Sequence, residues 1–330
     1  MNNFKKIGLT ALAASLVSVS ANAGAISVSG GASMNASGYT GEGQNRGATF
    51  TMGNQLTFSG SGELDNGLNV SVSFVIDQGD DTSDATGTAP FDSHSVTVSS
   101  DTLGTLKLMG EGGASTASAI SGTAAGNLWD SFDQHTVAAG ATTIPDLSQT
   151  ASPGDDSFMY TSPELMDGLT ATLSWEPQNT GIDSGTGWGV NYAGVDGLSL
   201  AYAVADVVGT TTLTSGENTQ MDISYAYGPL TVSYSLGDHD EKTADGSGDV
   251  EMESFAVTYT VTDELSVTYG QEESDQSSTT TNAEISAISF AYTAGGMTLS
   301  GKMTEGENLD YTTDTAADLD AWTLGASFAF

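Results

Sequence analysis

Residues 68–77 read Leu68-Asn69-Val70-Ser71-Val72-Ser73-Phe74-Val75-Ile76-Asp77. Leu68, Val70, Val72, Phe74 and Ile76 alternate with Asn69, Ser71 and Ser73, so an extended strand puts apolar groups on one face and polar groups on the other. Leu230, Val232, Tyr234 and Leu236 alternate in the same way with Thr231, Ser233 and Ser235. Phe255, Val257, Tyr259 and Val261 do so with Ser254, Ala256, Thr258 and Thr260. No segment shows a sustained helical period. Runs of roughly ten alternating residues are what a β-strand needs to cross a bilayer.

Sixteen such runs are predicted, near 25–38, 47–62, 67–77, 92–100, 104–110, 155–162, 168–177, 187–194, 197–207, 219–228, 229–237, 251–261, 265–273, 284–293, 297–305 and 319–330. The number is even, as single-chain bacterial barrels require. Short turns separate alternate pairs, at Leu64-Asp65-Asn66-Gly67, Asp101-Thr102-Leu103-Gly104, Gly194-Val195-Asp196-Gly197, Gly228-Pro229, Thr262-Asp263-Glu264 and Ala294-Gly295-Gly296. They carry the Gly, Asn, Asp and Pro that tight turns demand. Longer polar connections fall between them, at 39–46, 78–91, 111–154, 178–186, 208–218, 238–250, 274–283 and 306–318.

A soluble β-sandwich also has alternating strands, but it has no reason to alternate short and long connections. A barrel with short turns at one membrane face and long loops at the other does. The aromatics agree. Trp175, Trp188, Tyr192, Tyr202, Tyr225, Tyr227, Tyr234, Tyr259, Tyr269, Tyr292 and Trp322 share the apolar face of their runs, many near run ends, where an interfacial girdle belongs. The expected fold is all-β, a 16-stranded antiparallel transmembrane β-barrel.

The first residues set the compartment. Lys5 and Lys6 precede an apolar run from Ile7 to Val19, followed by Ala21-Asn22-Ala23. This is the pattern of a cleaved signal peptide, residues 1–23, with the barrel in 24–330. The apolar run is too short to span a bilayer as a helix.

Beyond it, Arg46, Lys107, Lys242 and Lys302 stand against 42 acids, a net charge of −38. Nucleic acid is excluded as a partner, because it requires a basic face. The chain has no cysteine, so disulfides, thiol chemistry and Cys-type metal sites are unavailable.

The longest connection begins Met109-Gly110-Glu111-Gly112-Gly113-Ala114-Ser115 and runs to Gly154. It contains Glu111, Asp130, Asp133 and Asp146 and no Lys or Arg. A structureless insert of this length argues against a strand assignment unless the loop is functional. It is expected to fold into the lumen and narrow it, with Gly112–Gly126 close against the wall and Trp129 and Phe132 as packing anchors.

With these features in place, the chain resembles the Gram-negative general-diffusion porins of the α-proteobacterial type. Two pieces carry the resemblance beyond the strand pattern. One is the long third loop after Leu106-Lys107-Leu108. The other is the terminal strand Ala321-Trp322-Thr323-Leu324-Gly325-Ala326-Ser327-Phe328-Ala329-Phe330. The resemblance implies a multi-pass protein of the cell outer membrane, a homotrimer of sixteen-stranded barrels, and residues 109–154 as a constriction loop. It implies contact with outer-membrane lipid and lipopolysaccharide. It also implies that the barrel-assembly machinery reads Trp322, Phe328 and Phe330.

Family constrictions set loop acids against a basic wall. Here the wall can offer only Arg46, Lys107 and Lys302, since Lys242 falls in an external loop. By strand parity Lys107 and Lys302 face the lumen, and Arg46 enters the second strand. A field dominated by acids favours cations. The outward set Ile26, Val28, Gly30, Ala32, Met34, Ala36 and Gly38 is mostly small, and residues 24–110 hold no Trp and only Tyr39. Strands one to five and the last are therefore expected at the subunit contact, with strands six to fifteen toward lipid.

No cofactor is expected. The acidic clusters Asp77-Gln78-Gly79-Asp80-Asp81 and Glu241–Asp249 could take surface divalent cations such as calcium, though neither has the ligand spacing of a calcium loop. His94, His135 and His239 fall on separate elements, and no Ser beside them forms a nucleophile motif, so an enzyme is not expected. A non-conducting surface protein or adhesin is the alternative, but it needs neither an inward loop nor a terminal aromatic strand. The expected function is passive diffusion of small hydrophilic solutes and ions, with cations preferred.

Overall fold

The computed structural model describes residues 26–41, 44–77, 91–120, 123–132, 156–177, 184–207, 215–242 and 248–330. Sixteen strands form one closed sheet: β1 (Ser27–Gly41), β2 (Gln44–Glu63), β3 (Asn69–Asp77), β4 (Ser93–Ser100), β5 (Gly104–Glu111), β6 (Ser157–Thr161), β7 (Leu169–Glu176), β8 (Gly185–Tyr192), β9 (Leu198–Val207), β10 (Gly216–Tyr227), β11 (Leu230–Glu241), β12 (Val250–Thr260), β13 (Leu265–Gln276), β14 (Ala283–Ala294), β15 (Met297–Glu307) and β16 (Leu319–Ala329). Each pairs antiparallel with its chain neighbours, and β16 returns to β1 from Gly31↔Ala329 to Gly41↔Leu319. The last residue joins the seam: Gly30 N–H donates to the Phe330 carbonyl at 2.8 Å, and Phe330 N–H to the Gly30 carbonyl at 3.0 Å. Closure leaves no strand edge, which hydrocarbon would not tolerate.

Among the described residues no helix is long and apolar enough to cross a membrane; the strands cross it. The alternation in sequence becomes two chemically distinct faces. Leu173, Trp175, Trp188, Val190, Ile223, Tyr225, Val232, Tyr259 and Ile288 are exposed on one face. The other face is hydroxyl-rich. Thr231, Thr258, Thr268, Ser289, Lys302, Thr323 and Ser37 are successive cross-strand partners across seven strands. Trp322 lies over Gly38 on the apolar face, 2.8 Å from where a Cβ would stand. The missing side chain makes room for the indole.

The tight turns sit at one end, as at Leu64–Gly67, where Gly67 has φ +80° and donates its N–H to the Leu64 carbonyl at 2.8 Å. The expected long connection at 39–46 is a correction. β1 and β2 stay paired through Tyr39↔Arg46, Thr40↔Asn45 and Gly41↔Gln44, leaving only residues 42–43 between them. A register shift between Ser37 and Tyr39, at Gly38, lets the hairpin continue past the point where apolar alternation fades. The connection at 274–283 also shortens, because β13 runs to Gln276 before β14 begins at Ala283.

Candidate functional site

The chain that leaves β5 does not stand free of the barrel. It forms a short helix, α1 (Thr116–Ile120), whose start is capped reciprocally. Ser115 N–H donates to Ser118 Oγ at 2.8 Å, and Ser118 N–H to Ser115 Oγ at 3.1 Å. Thr116 then ties the helix to the polar face of the wall. Its N–H donates to Ser174 Oγ of β7 at 3.0 Å and its hydroxyl to the Val204 carbonyl of β9 at 3.0 Å. Gly187 of β8 lies between, and any side chain there would collide with the Thr116 hydroxyl.

Past α1 the chain follows one register row around the barrel. Asp222, Ser235, Ser254, Glu272, Ile285, Gly306 and Leu319 are successive cross-strand partners on β10 to β16. Ala124 N–H donates to Ser235 Oγ at 2.8 Å, and Ala125 N–H to Ser254 Oγ at 2.9 Å. Glu272, 0% exposed, accepts both the Thr123 hydroxyl and, at 2.9 Å, the Leu128 N–H. A buried carboxylate is costly unless hydrogen-bonded and paired. Lys302 supplies favourable charge, while Asp130 opposes it.

Where the row turns apolar, the segment does too. Leu128 and Trp129 open a 3-10 turn, Leu128–Ser131, and with Phe132 they pack among Tyr39, Met252, Ile285, Leu309, Tyr311 and Leu319. Trp129 and Phe132 are each 1% exposed. Gly306 admits the Phe132 ring, 3.0 Å from the site of a Cβ. Ser131 Oγ lies 3.2 Å from Thr304 Oγ1. Tyr311, in the β15–β16 connection, shares a 3.0 Å hydrogen bond with buried Ser274, and burial pushes its phenol above the ordinary value.

The residues expected at the constriction fall into three groups. Asp130 is exposed on the docked segment and accepts Asn127 Nδ2–H at 2.6 Å. Lys302 and Lys107 stand on the polar face, Lys302 beside Ser289 and Thr323 and Lys107 opposite Thr97. Asp133 and Asp146 lie outside the described residues, and for Arg46 only the backbone pairing with Tyr39 is described.

Glu111, expected in the loop, is the last residue of β5. β5 bulges where His94↔Glu111 gives way to Ser95↔Met109. That extra residue turns Glu111 to the apolar side with Val96, its carboxylate 3.9 Å from His94 Nδ1. Among the described residues no three His, Asp or Glu are placed to hold a metal.

One charged feature went unread in the sequence. On the apolar face, above the aromatics, Glu253, Glu273, Glu284 and Glu307 are successive cross-strand partners on β12 to β15. Asp206, Glu217 and Asp240 form a second such row on β9 to β11. Asp238, Glu251 and Asp275 form a third, on β11 to β13. Tyr234 donates its hydroxyl to Glu253 at 2.6 Å, and Lys242 lies 3.7 Å from Asp206. The available signal was the spacing: acids two apart at strand ends, as in Asp238/Asp240, Glu251/Glu253 and Glu273/Asp275, must share a face.

The sequence model of the Gram-negative porin family matches residues 8–330. Among solved structures, an anion-selective porin from Comamonas acidovorans superposes with TM-score 0.69 at 15% identity, covering 93% of this chain and 99% of that one. A triple mutant of the Rhodopseudomonas blastica porin superposes with TM-score 0.62 at 15% identity, covering 93% of this chain and all of that one. No curated protein matches the sequence. A family match over nearly the whole chain, on a closed barrel of sixteen antiparallel strands, places this chain in the Gram-negative porin family, as a multi-pass outer-membrane protein and passive diffusion channel.

Proposed function

We propose that this porin passes small hydrophilic solutes and ions, prefers cations, and is narrowed by the third loop, residues 109–154, folded into the lumen. The supporting observation is the docking of residues 116–120 and 123–132 along the polar face from β7 to β16, through Thr116, Ala124, Ala125 and Leu128. A segment held on that face takes cross-section from the water-filled side of the barrel. Asp130 with Asp133 and Asp146 on the loop, and Lys302, Lys107 and Arg46 on the wall, would set its charge.

Cation preference rests on charge. The net of −38 after the signal leaves few fixed positive groups to hold anions. The carboxylate rows at the strand ends raise the local cation concentration at the mouth. The Comamonas relative is described as anion-selective, so selectivity does not follow from the fold.

The chain would work as a homotrimer, after cleavage of residues 1–23 and recognition of Trp322, Phe328 and Phe330 by the assembly machinery. The outer faces of β1 to β4 carry no carboxylate, whereas those of β9 to β15 carry the acidic rows, which favours β1 to β5 with β16 as the protein contact. Planar-bilayer recording under a salt gradient tests the function. A reversal potential of the sign for cations is expected; an anion-selective potential would sink the preference, and no conductance would sink the channel.

A further inference from the structure

The same row that anchors the loop continues one position further, to Asp222, which accepts no hydrogen bond from the described residues of the loop. Ser235 beside it accepts Ala124 N–H, but the hydrogen bond recorded for Asp222 comes from Gln220 Nε2 at 3.2 Å. Asp222 instead borders a cavity of about 290 Å3 beneath the docked segment. The cavity has three kinds of wall. Ser199, Ser224 and Ser233, direct partners on β9, β10 and β11, present a line of hydroxyls, with Ser233 donating to Ser224 at 3.1 Å. Asn191 of β8 adds an amide beside Ala201. From the loop, Ile120 at the end of α1 and Ala124 add apolar side chains. Among the described residues no Lys or Arg borders it.

We infer that this cavity is a binding station for a small amino sugar, a ring bearing one ammonium and several hydroxyls. The inference rests on the channel function and names one solute class for it. Each wall matches one part of such a molecule. The ammonium meets the Asp222 carboxylate in a charge-assisted hydrogen bond, about twice as strong as a neutral one. The ring hydroxyls exchange donors and acceptors with Ser199, Ser224, Ser233 and Asn191, which serve in either role. The C–H face of the ring rests on Ile120 and Ala124. An anionic sugar is disfavoured by Asp222, and a neutral one loses the charged contact. The station lies on the wall, so a solute held there has already passed or has yet to pass the segment above it.

The test is potassium current through single channels in planar bilayers, titrated with D-glucosamine, N-acetyl-D-glucosamine and D-glucose. Glucosamine is expected to reduce the current saturably, and the two neutral sugars to do so only at far higher concentration. Asp222→Asn is expected to weaken the glucosamine effect by about tenfold or more, the loss of a hydrogen bond to a charged group. Ser233→Ala is expected to weaken it severalfold for all three sugars. Heat-modifiable mobility on gels reports assembly of each variant independently of conduction. Equal responses to glucosamine and N-acetylglucosamine, or an undiminished response in Asp222→Asn, would overturn the station while leaving the channel standing. A wild type without potassium current would overturn the channel itself.

Discussion

The Leu128 N–H points at Glu272 Oε2 from 2.9 Å, although the two residues are 144 positions apart in the chain. Glu272 also accepts the Thr123 hydroxyl, so one carboxylate closes both ends of a six-residue loop segment onto β13. Glu272→Ala would strand a buried N–H and a hydroxyl, each costing about 1–3 kcal/mol. We expect higher single-channel conductance and larger current noise from Glu272→Ala, with a barrel that still assembles. Glu272→Gln keeps one acceptor oxygen and should lie between it and wild type. A conductance unchanged in both would show that the segment is held elsewhere.

Trp129 is the largest buried side chain of the docked segment, and among the described residues its Nε1 has no hydrogen-bond partner. Its value is therefore apolar volume. Trp129→Ala should cost about 3–5 kcal/mol of local stability, as for other large core truncations. Trp129→Phe should cost far less, because no hydrogen bond is lost. Protease susceptibility of the 123–132 segment in the intact barrel would rank the two; equal susceptibility would refute the packing role.

Like charges directly opposite one another on a sheet repel. Glu273 and Glu284 are such a pair within the row that runs from Glu253 to Glu307. Replacing Glu284 by Gln should raise the temperature at which the barrel unfolds in detergent, by an effect of roughly 0.2–1 kcal/mol. The gain should shrink as salt rises, since screening reaches about 10 Å at 0.1 M. Destabilisation at low salt would count against it.

Burial holds the Tyr311 phenol above its ordinary value of 10.0. A raised acid favours its neutral form in the folded state. The contribution is thus full below the unfolded value and lost as pH climbs through the folded one. Wild type should lose more stability than Tyr311→Phe between roughly pH 9 and pH 12, the window set by tyrosine ionisation. Parallel alkaline melting curves would contradict the assignment.

A single cysteine at Ala32, on the small-residue face of β1, should crosslink subunits efficiently, and one at Tyr234 should not. Efficient crosslinking at Tyr234 with none at Ala32 would move the subunit contact to the opposite side of the barrel.

The strands were legible because the pleat imposes period two and a bilayer demands it over many residues. Every predicted run overlaps one observed strand. The loop's attachment was legible only in part. Trp129 and Phe132 announced themselves as apolar residues in a polar insert. Glu272 did not, because its role depends on which residues of β12 and β14 stand beside it, and register is not a local property. Glu111 was read as a loop residue, whereas the bulge at Gly110 keeps it paired with His94 at the end of β5, and a bulge leaves no local mark in the sequence.

That dependence on register has a consequence for how such a channel could change. Ser235, Ser254 and Glu272 reach the loop because three neighbouring strands are staggered by fixed amounts. A two-residue slip of β13 against β12 would keep every face and every turn chemistry intact, yet would carry Glu272 about 7 Å along the barrel axis. Bore and strand stagger are then a single inherited variable, and lengthening the loop cannot substitute for it.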